Sequence, residues 1–213
     1  MQRVTELQRK ASPAGKPQPL AFLGGTLYVG SWDADSVYAI DPQTWTVRAE
    51  TAAPGKPYGM AVLDGAIRVV VSVNDDDDRY LYAFVPGKGF DLESRVALPD
   101  LSGSHLGSDG STLYLLQMGK RQIVTLDAQG ALVREFPLKV RLAGIGSADG
   151  KLYGLAGDEE FENLHVASID LSGADPVVTD LASISDEARG LTFDGKAWWT
   201  SYRDDDAIGS FTI

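Results

Sequence analysis

Residues 24–45, GGTLYVGSWDADSVYAIDPQTW, decide the fold of this chain. They read as two short strands rich in apolar residues with an acidic turn between them, followed by a second turn. The unit recurs with its turn glycine five times in 213 residues, at Gly25, Gly65, Gly110, Gly150 and Gly195, with spacings of 40, 45, 40 and 45 residues. A period of about 40–45 residues with several short strands in each repeat is typical of propeller blades.

The turn in front of each unit predicts a tight hairpin. Asp precedes four of the five glycines, at Asp64, Asp109, Asp149 and Asp194. Both central residues of a type I′ turn need positive φ, and Asp-Gly is one of the few residue pairs that accept it. We therefore expect type I′ hairpins at these positions, each joining the first strand of a blade to the second.

The repeats predict an all-β protein, a five-bladed β-propeller with four antiparallel strands in each blade. We expect a single domain over residues 1–213, with blades at roughly 13–53, 54–99, 100–138, 139–183 and 184–213. The last repeat ends after its third strand-like run, whereas residues 3–11 form a spare strand ahead of the first blade. We expect residues 3–11 to complete the fifth blade by pairing with 207–213, because such closure removes the open edges of the sheet.

The composition excludes several classes of function. The chain has no cysteine, which rules out disulfides, thiolate metal sites and a cysteine nucleophile. Its net charge of −11 disfavours a nucleic-acid partner, because phosphate binding needs clustered Lys and Arg. No apolar run approaches the roughly 18 residues of a membrane helix, so we expect no membrane partner. We expect a cytoplasmic monomer, since the N-terminus lacks the apolar segment of a signal peptide; a secreted or periplasmic protein whose signal was removed is the alternative.

Acidic residues cluster in the connectors between the second and third strands. Up-and-down strands bring these connectors and the connectors between blades to one face, which holds 13 of the 30 acidic residues. We expect this face to bind a small molecule or a protein, and hydrated loops without a ligand are the alternative. Ca²⁺ is the one cofactor that such carboxylates suggest, although the spacing is not that of a Ca²⁺ loop. The candidate ligands are Asp33, Asp35, Asp76, Glu160 and Asp205.

A second candidate site lies at the mouth of the central channel. The residues predicted at or near the starts of the inner strands are Gln18, Tyr58, His105, Arg141 and Arg189, and Trp32 and Tyr202 begin neighbouring connectors. Mixed polar and aromatic side chains of this kind line small-molecule sites. The two arginines could bind a carboxylate or phosphate with paired hydrogen bonds, or they could simply offset the acidic loops. We predict no catalytic residue, because the only two histidines, His105 and His165, form no recognisable catalytic set.

The blade pattern resembles YVTN-type and gluconolactonase-like propeller repeats. The stretches that carry this resemblance are LYVGSWDADSVYAID (27–41), LYLLQMGKRQIVTLD (113–127) and GLTFDGKAWWTSYRDDDAIGSF (190–211). With five blades, the chain also resembles the glutamine cyclotransferase propellers of bacteria and plants. The first resemblance implies a divalent metal held by side chains facing the channel, and the second implies a glutamate in an E-G-L-type blade start. In the matching stretch, 188–192, this sequence has Arg189 in place of that acid.

These observations favour a binding or interaction propeller that uses its acidic-rimmed face and the channel mouth. The alternative is a small-molecule enzyme, related to lactonases, lyases or cyclotransferases, with its site in the same channel mouth. An ordered ion or ligand on the channel axis would favour the enzyme.

Overall fold

In the computed structural model, which describes residues 2–213, twenty strands form five four-stranded antiparallel sheets. Their bounds are β1 Thr5–Ala11, β2 Pro17–Leu23, β3 Thr26–Ser31, β4 Ser36–Asp41, β5 Thr46–Ala52, β6 Lys56–Leu63, β7 Ala66–Ser72, β8 Arg79–Val85, β9 Gly89–Ala97, β10 His105–Ser108, β11 Leu113–Gln117, β12 Gln122–Leu126, β13 Leu132–Pro137, β14 Arg141–Ala148, β15 Lys151–Gly157, β16 His165–Asp170, β17 Val177–Ser183, β18 Ala188–Phe193, β19 Trp198–Tyr202 and β20 Ala207–Thr212. Two single-turn 3₁₀ helices cover Pro99–Leu101 and Met118–Lys120. Over the same residues, no helix is long and apolar enough to cross a membrane.

The sheets form a ring, so the predicted five-bladed propeller is confirmed. Blades one to four each use consecutive strands, β2–β5, β6–β9, β10–β13 and β14–β17, and the fifth has the order β18-β19-β20-β1. The inner strands β2, β6, β10, β14 and β18 contact one another in that order around the axis, with β18 returning to β2. The N-terminal strand β1 pairs with β20 from Thr5↔Thr212 to Ala11↔Ala207, which confirms the predicted closure. Its N-terminal end also reaches blade four, where the Val4 amide donates to the Ser183 carbonyl at 3.0 Å.

A five-membered ring brings the inner strands so close that backbone meets backbone. A Cβ added at Gly144 would lie 1.9 Å from the Arg189 carbonyl oxygen, and one at Gly190 would lie 2.3 Å from the Gln18 carbonyl oxygen. Real Cβ atoms do not approach oxygens that closely, so these two positions need glycine for space alone. The tight packing leaves a narrow channel and fixes the starts of β2, β14 and β18 relative to one another.

The hairpin prediction is correct at two Asp-Gly pairs and wrong at two. Asp64-Gly65 and Asp149-Gly150 have positive φ at both residues, as a type I′ turn requires. At Asp109 and Asp194 only the glycine has positive φ, and the loops run over four residues, 109–112 and 194–197. There the Asp side chain holds the loop instead: Asp194 Oδ1 accepts the amides of Lys196 and Ala197, both at 2.8 Å. A carboxylate that binds the backbone two and three residues on is the alternative to a tight turn.

Two tryptophans of β19 join the fifth blade to both of its neighbours. Trp199 stacks on Trp45 of blade one at 6.2 Å between ring centroids, and Trp198 meets Tyr153 of blade four edge-on at 4.8 Å. Successive side chains of a strand point to opposite faces of the sheet, so one tryptophan serves each interface. This confirms the interpretation of both residues as inter-blade packing.

The starts of the five inner strands and the connectors between second and third strands lie on one side of the ring, which we call the acidic face. The acidic residues of the connectors between second and third strands, almost all exposed, are Asp33, Asp35, Asp75, Asp76, Asp77, Asp78, Asp158, Glu159, Glu160, Glu162, Asp204, Asp205 and Asp206. The end of the channel that opens on this face is the channel mouth.

Candidate functional site

A hydrogen bond across the axis closes the channel just below its mouth. Gln18 on β2 and His105 on β10 belong to blades one and three, which are not neighbours, yet Gln18 Nε2 lies 3.0 Å from His105 Nε2. Both side chains are buried, with 3% and 2% of their surface exposed. Among residues 2–213, nothing hydrogen-bonds Gln18 Oε1, which is buried as well. If the amide donates to Nε2, the proton of the neutral imidazole lies on Nδ1.

Three arginines surround this pair. Burial, together with the smaller effect of the positive charges of Arg189, Arg203 and Arg79, lowers the pKa of His105 to about 3. His105 is therefore neutral at physiological pH. Burial also lowers the pKa of Arg189, as does the charge of Arg203, although the Arg189 guanidinium group stays protonated. The channel mouth is thus a concentrated positive region inside an acidic face.

Arg79 is held in place by its own blade and the next. Its Nη1 donates to the Gly103 carbonyl at 2.8 Å, its Nε donates to the Asp77 carbonyl at 3.0 Å, and its Nη2 forms an ion pair with the Asp77 carboxylate. Ser72 Oγ donates to the same carboxylate at 2.5 Å. Burial raises the pKa of Asp77, but the hydrogen bonds from Arg79 and Ser72 outweigh it, and the pKa lies below its usual value. Arg79 is therefore a fixed positive charge with most of its donors in use.

Arg203 and Arg189 keep donors free. Arg203 Nε lies 3.5 Å from Asp204 Oδ1, which is a weak contact, and within residues 2–213 neither of its Nη atoms has an acceptor. Arg189 uses Nη1 for the Asp186 carbonyl at 2.6 Å and the Ala188 carbonyl at 2.8 Å. Its Nε and Nη2 meet no acceptor in the part of the chain that the structure describes. A carboxylate or phosphate accepts paired hydrogen bonds from donors of this kind.

Two aromatic rings line the mouth between Arg203 and Arg79. The Trp32 and Tyr58 rings lie 4.5 Å apart at 46°, and Trp32 is anchored by its Nε1, which donates to the Pro57 carbonyl at 2.8 Å. The Arg203 guanidinium lies 4.9 Å from the Trp32 ring, and that of Arg79 lies 3.4 Å from the Tyr58 ring. One face of the Trp32 ring and one face of the Tyr58 ring thus already contact a guanidinium group, so the rings position Arg203 and Arg79.

Arg141, predicted at the channel mouth, lies on the rim of the acidic face. Its Nε pairs with Glu159 at 2.8 Å, and Arg121 of blade three shares the same carboxylate at 2.6 Å. Hydrogen bonds from Arg141 and Arg121 lower the pKa of Glu159. Blade three is the one blade whose connector between second and third strands is basic. The acidic connector of blade four attracts both Arg121 from that connector and Arg141 from the start of its own blade. The expectation that Arg141 and Arg189 act together is wrong for Arg141.

Tyr202 also lies away from the mouth. Counting residues from the turn glycine of each blade aligns Tyr202 with Trp32, but the strand pairing of blade five is shifted by one residue. The pair that closes the hairpin from second to third strand is Ser31↔Ser36 in blade one and Tyr202↔Ala207 in blade five. Tyr202 therefore corresponds to Ser31, and Arg203 corresponds to Trp32. The Tyr202 ring is buried beneath β1, with the Arg9 guanidinium 3.7 Å from its centre.

The five carboxylates proposed as Ca²⁺ ligands do not form a cluster. Over residues 2–213, no three His, Asp or Glu side chains converge as a metal site would need. Asp205 instead accepts a hydrogen bond from Arg9 at 3.1 Å, while Asp33, Asp35, Asp76 and Glu160 lie exposed in three other connectors. Nearby acids hold their own loops: Asp158 Oδ1 accepts the Glu162 amide at 2.9 Å. Carboxylates of the acidic face therefore accept hydrogen bonds within their own loops, and within residues 2–213 they do not converge on a shared cation site.

The repeat pattern does not single out Arg79 and Arg203. Both occur inside strongly acidic connectors, NDDDDR and YRDDDA, where a single arginine looks like part of a charged loop. The signal that identifies them is positional. Arg79 is the first residue of β8, and backbone pairing there fixes the face of the sheet to which its side chain points. Arg203 directly follows the last residue of β19.

Comparisons with known proteins identify the fold. No protein-family model and no curated protein matches this chain. The solved structure of glutaminyl cyclase from Myxococcus xanthus matches with a TM-score of 0.74 and 13% identity, over 98% of this chain and 95% of that one. Virginiamycin B lyase from Staphylococcus aureus matches with a TM-score of 0.55 and 18% identity, over 95% and 68%.

The hydrazine synthase of Kuenenia stuttgartiensis matches with a TM-score of 0.56 and 22% identity, over 90% of this chain. This chain spans only 56% of the length of that protein. At these identities the likeness shows the propeller fold alone. The resemblance to glutamine cyclotransferase-like propellers is confirmed at that level.

Proposed function

We propose that this protein is a binding propeller whose ligand is a small anion, held at the channel mouth by Arg203 and Arg189. The observation that carries the proposal is the set of unused guanidinium donors beside a buried, neutral Gln18–His105 pair. Guanidinium groups match carboxylates and phosphates in shape and donate two parallel hydrogen bonds to them. Arg79 contributes a fixed charge rather than donors, because Asp77 and Gly103 already accept from it.

The acidic loops do not argue against an anion. Several of their carboxylates are used locally, as in the ion pairs of Glu159 with Arg141 and of Asp205 with Arg9. Their repulsion is long-ranged and is screened over about 8–10 Å at moderate salt, whereas hydrogen bonds from Arg203 and Arg189 act at contact. The face as a whole therefore disfavours anions in general, and the mouth would retain only those small enough to reach its arginines.

The state of His105 supports binding rather than catalysis. Its pKa of about 3 keeps it neutral, and its Nε2 is occupied by Gln18 across the axis. A general base works best with a pKa near the working pH and with a nitrogen free to meet the substrate. His105 meets neither condition, so its role in this proposal is to close the channel floor and to face the ligand without charge.

The test is anion binding by variants of the mouth. Inorganic phosphate and acetate are titrated into the protein at constant ionic strength, and binding is followed by calorimetry and by the rise in melting temperature. We expect Arg203→Gln and Arg189→Gln each to cost about 2 kcal/mol, which is roughly thirtyfold in the dissociation constant.

The matched control is Arg141→Gln, which removes an arginine of the rim and leaves the mouth intact. We expect its affinity for both anions to stay within twofold of the unmodified protein. Equal losses in all three variants would mean that only the overall charge matters. Unchanged binding in Arg203→Gln and Arg189→Gln would contradict the proposal.

A further inference from the structure

A separate cavity opens beside the channel mouth, between blades two and three. Its volume is about 290 Å³, and it shares Tyr58 and Arg79 with the mouth. Leu101, Met118 and Gly119 supply most of the remaining apolar wall. A ligand bound to the arginines of the mouth could therefore extend into this cavity without crossing the acidic loops.

The wall of this cavity is held by an unusual loop. Asp100 and Leu101 are consecutive non-glycine residues with positive φ, 55° and 51°, a conformation that L residues adopt rarely. The buried Gln117 fixes the loop, since its Nε2 donates to the Pro99 carbonyl at 2.9 Å and the Ser102 carbonyl at 3.0 Å. This geometry leaves the Leu101 side chain 38% exposed on the cavity instead of folding it into the core.

Charges of both signs surround the cavity. The connector of blade three carries no acid, and its Lys120 pairs with Asp100. Two carboxylates of blade two line the cavity: Asp77, which pairs with Arg79, and Asp76, which is exposed. The charged group of an anionic ligand therefore belongs at the arginines of the mouth, and only an uncharged substituent suits the cavity.

From these observations we infer that the ligand is an anion with a small apolar substituent, whose charged group meets Arg203 and Arg189 while the substituent fills the cavity against Leu101, Met118 and Tyr58. This inference rests on the proposed function and adds the ligand class to it. Apolar burial then contributes affinity in proportion to the area that leaves water.

The experiment uses linear monocarboxylates of increasing length, acetate, propionate, butyrate, pentanoate and hexanoate, at constant ionic strength. We expect affinity to rise about fourfold for each methylene that enters the cavity, until the cavity is full. Gly119→Leu should remove this rise and leave the affinity for acetate unchanged. A Cβ at Gly119 meets nothing within 4 Å, and the backbone there does not have positive φ, so the variant should fold.

Gly173→Leu serves as the matched control, because it adds the same side chain to an exposed turn outside the cavity and should keep the chain-length dependence. As a second test, Leu101→Asn replaces the apolar wall by a polar side chain that tolerates positive φ, and should flatten the rise. Acetate and hexanoate binding equally well would overturn the inference and leave the proposed function standing. A rise that persists in Gly119→Leu would overturn it as well, and an absence of binding by every carboxylate and by phosphate would overturn both.

Discussion

The closeness of the inner strands makes Gly144→Ala the sharpest test of this structure. The Cβ of alanine at this position would lie 1.9 Å from the Arg189 carbonyl oxygen, whereas real Cβ atoms essentially never come within 3.0 Å. Strand β14 or β18 must therefore move by about 1.1 Å, the difference between these two distances. Both are backbone segments paired in their own sheets, so neither can turn aside as a flexible side chain would.

The cost follows from this rigidity. Overpacking a well-filled core usually costs about 1–3 kcal/mol, and an obstacle made of backbone belongs at the upper end, so we expect the free energy of unfolding to fall by about 3 kcal/mol. For a chain of this size that lowers the melting temperature by about 6–12 °C. Because Arg189 lies on the displaced strand, the variant should also bind anions more weakly than the unmodified protein.

Gly119→Ala is the matched control, since the same methyl group there meets nothing within 4 Å. It should change stability by no more than about 0.5 kcal/mol. Urea unfolding of the three proteins, followed by tryptophan fluorescence, gives the comparison. If Gly144→Ala is as stable as Gly119→Ala, the inner strands are further apart than described, and the account of a narrow channel fails.

Three further predictions test other parts of the molecule. Deleting residues 2–11 removes β1 and exposes the edge of β20, so we expect aggregation or a lower melting temperature in light scattering and calorimetry; an unchanged monomer would refute the role of closure. The unfolded state binds a proton at His105 below pH 6.5, whereas the folded state does not until about pH 3, so stability falls as pH drops through this window, by up to about 1.4 kcal/mol per unit. His105→Gln should show a shallower loss in urea titrations between pH 7.5 and 4.5, and parallel slopes would contradict a buried neutral imidazole. Millimolar Ca²⁺ should stabilise the protein weakly and mainly at low salt, by relief of repulsion between acidic loops, and micromolar affinity in calorimetry would refute that reading.

The candidate site was only partly predictable. Gln18, His105, Tyr58, Trp32 and Arg189 come together at the channel mouth, because the starts of the inner strands and the neighbouring connectors lie on the same side of the ring. Arg141 occupies an equivalent position but pairs with Glu159 of its own blade, a carboxylate that Arg121 of the preceding blade also binds. An ion pair that joins two loops depends on the distance between them, which no local pattern records.

The sequence by itself determined the number of blades, the strands within them and the closing strand. These depend on short-range patterns, namely the alternation of apolar residues and turn residues that accept positive φ, repeated at a fixed period. Only the tertiary structure decided which cations share the mouth. Arg203 rather than Tyr202 corresponds to Trp32 because the loop 194–197 is longer than the turn at Gly24-Gly25, and that shift appears only once the strands are paired. The bond between Gln18 and His105 joins residues 87 positions apart in blades that are not neighbours in the ring, so it exists only because the ring closes.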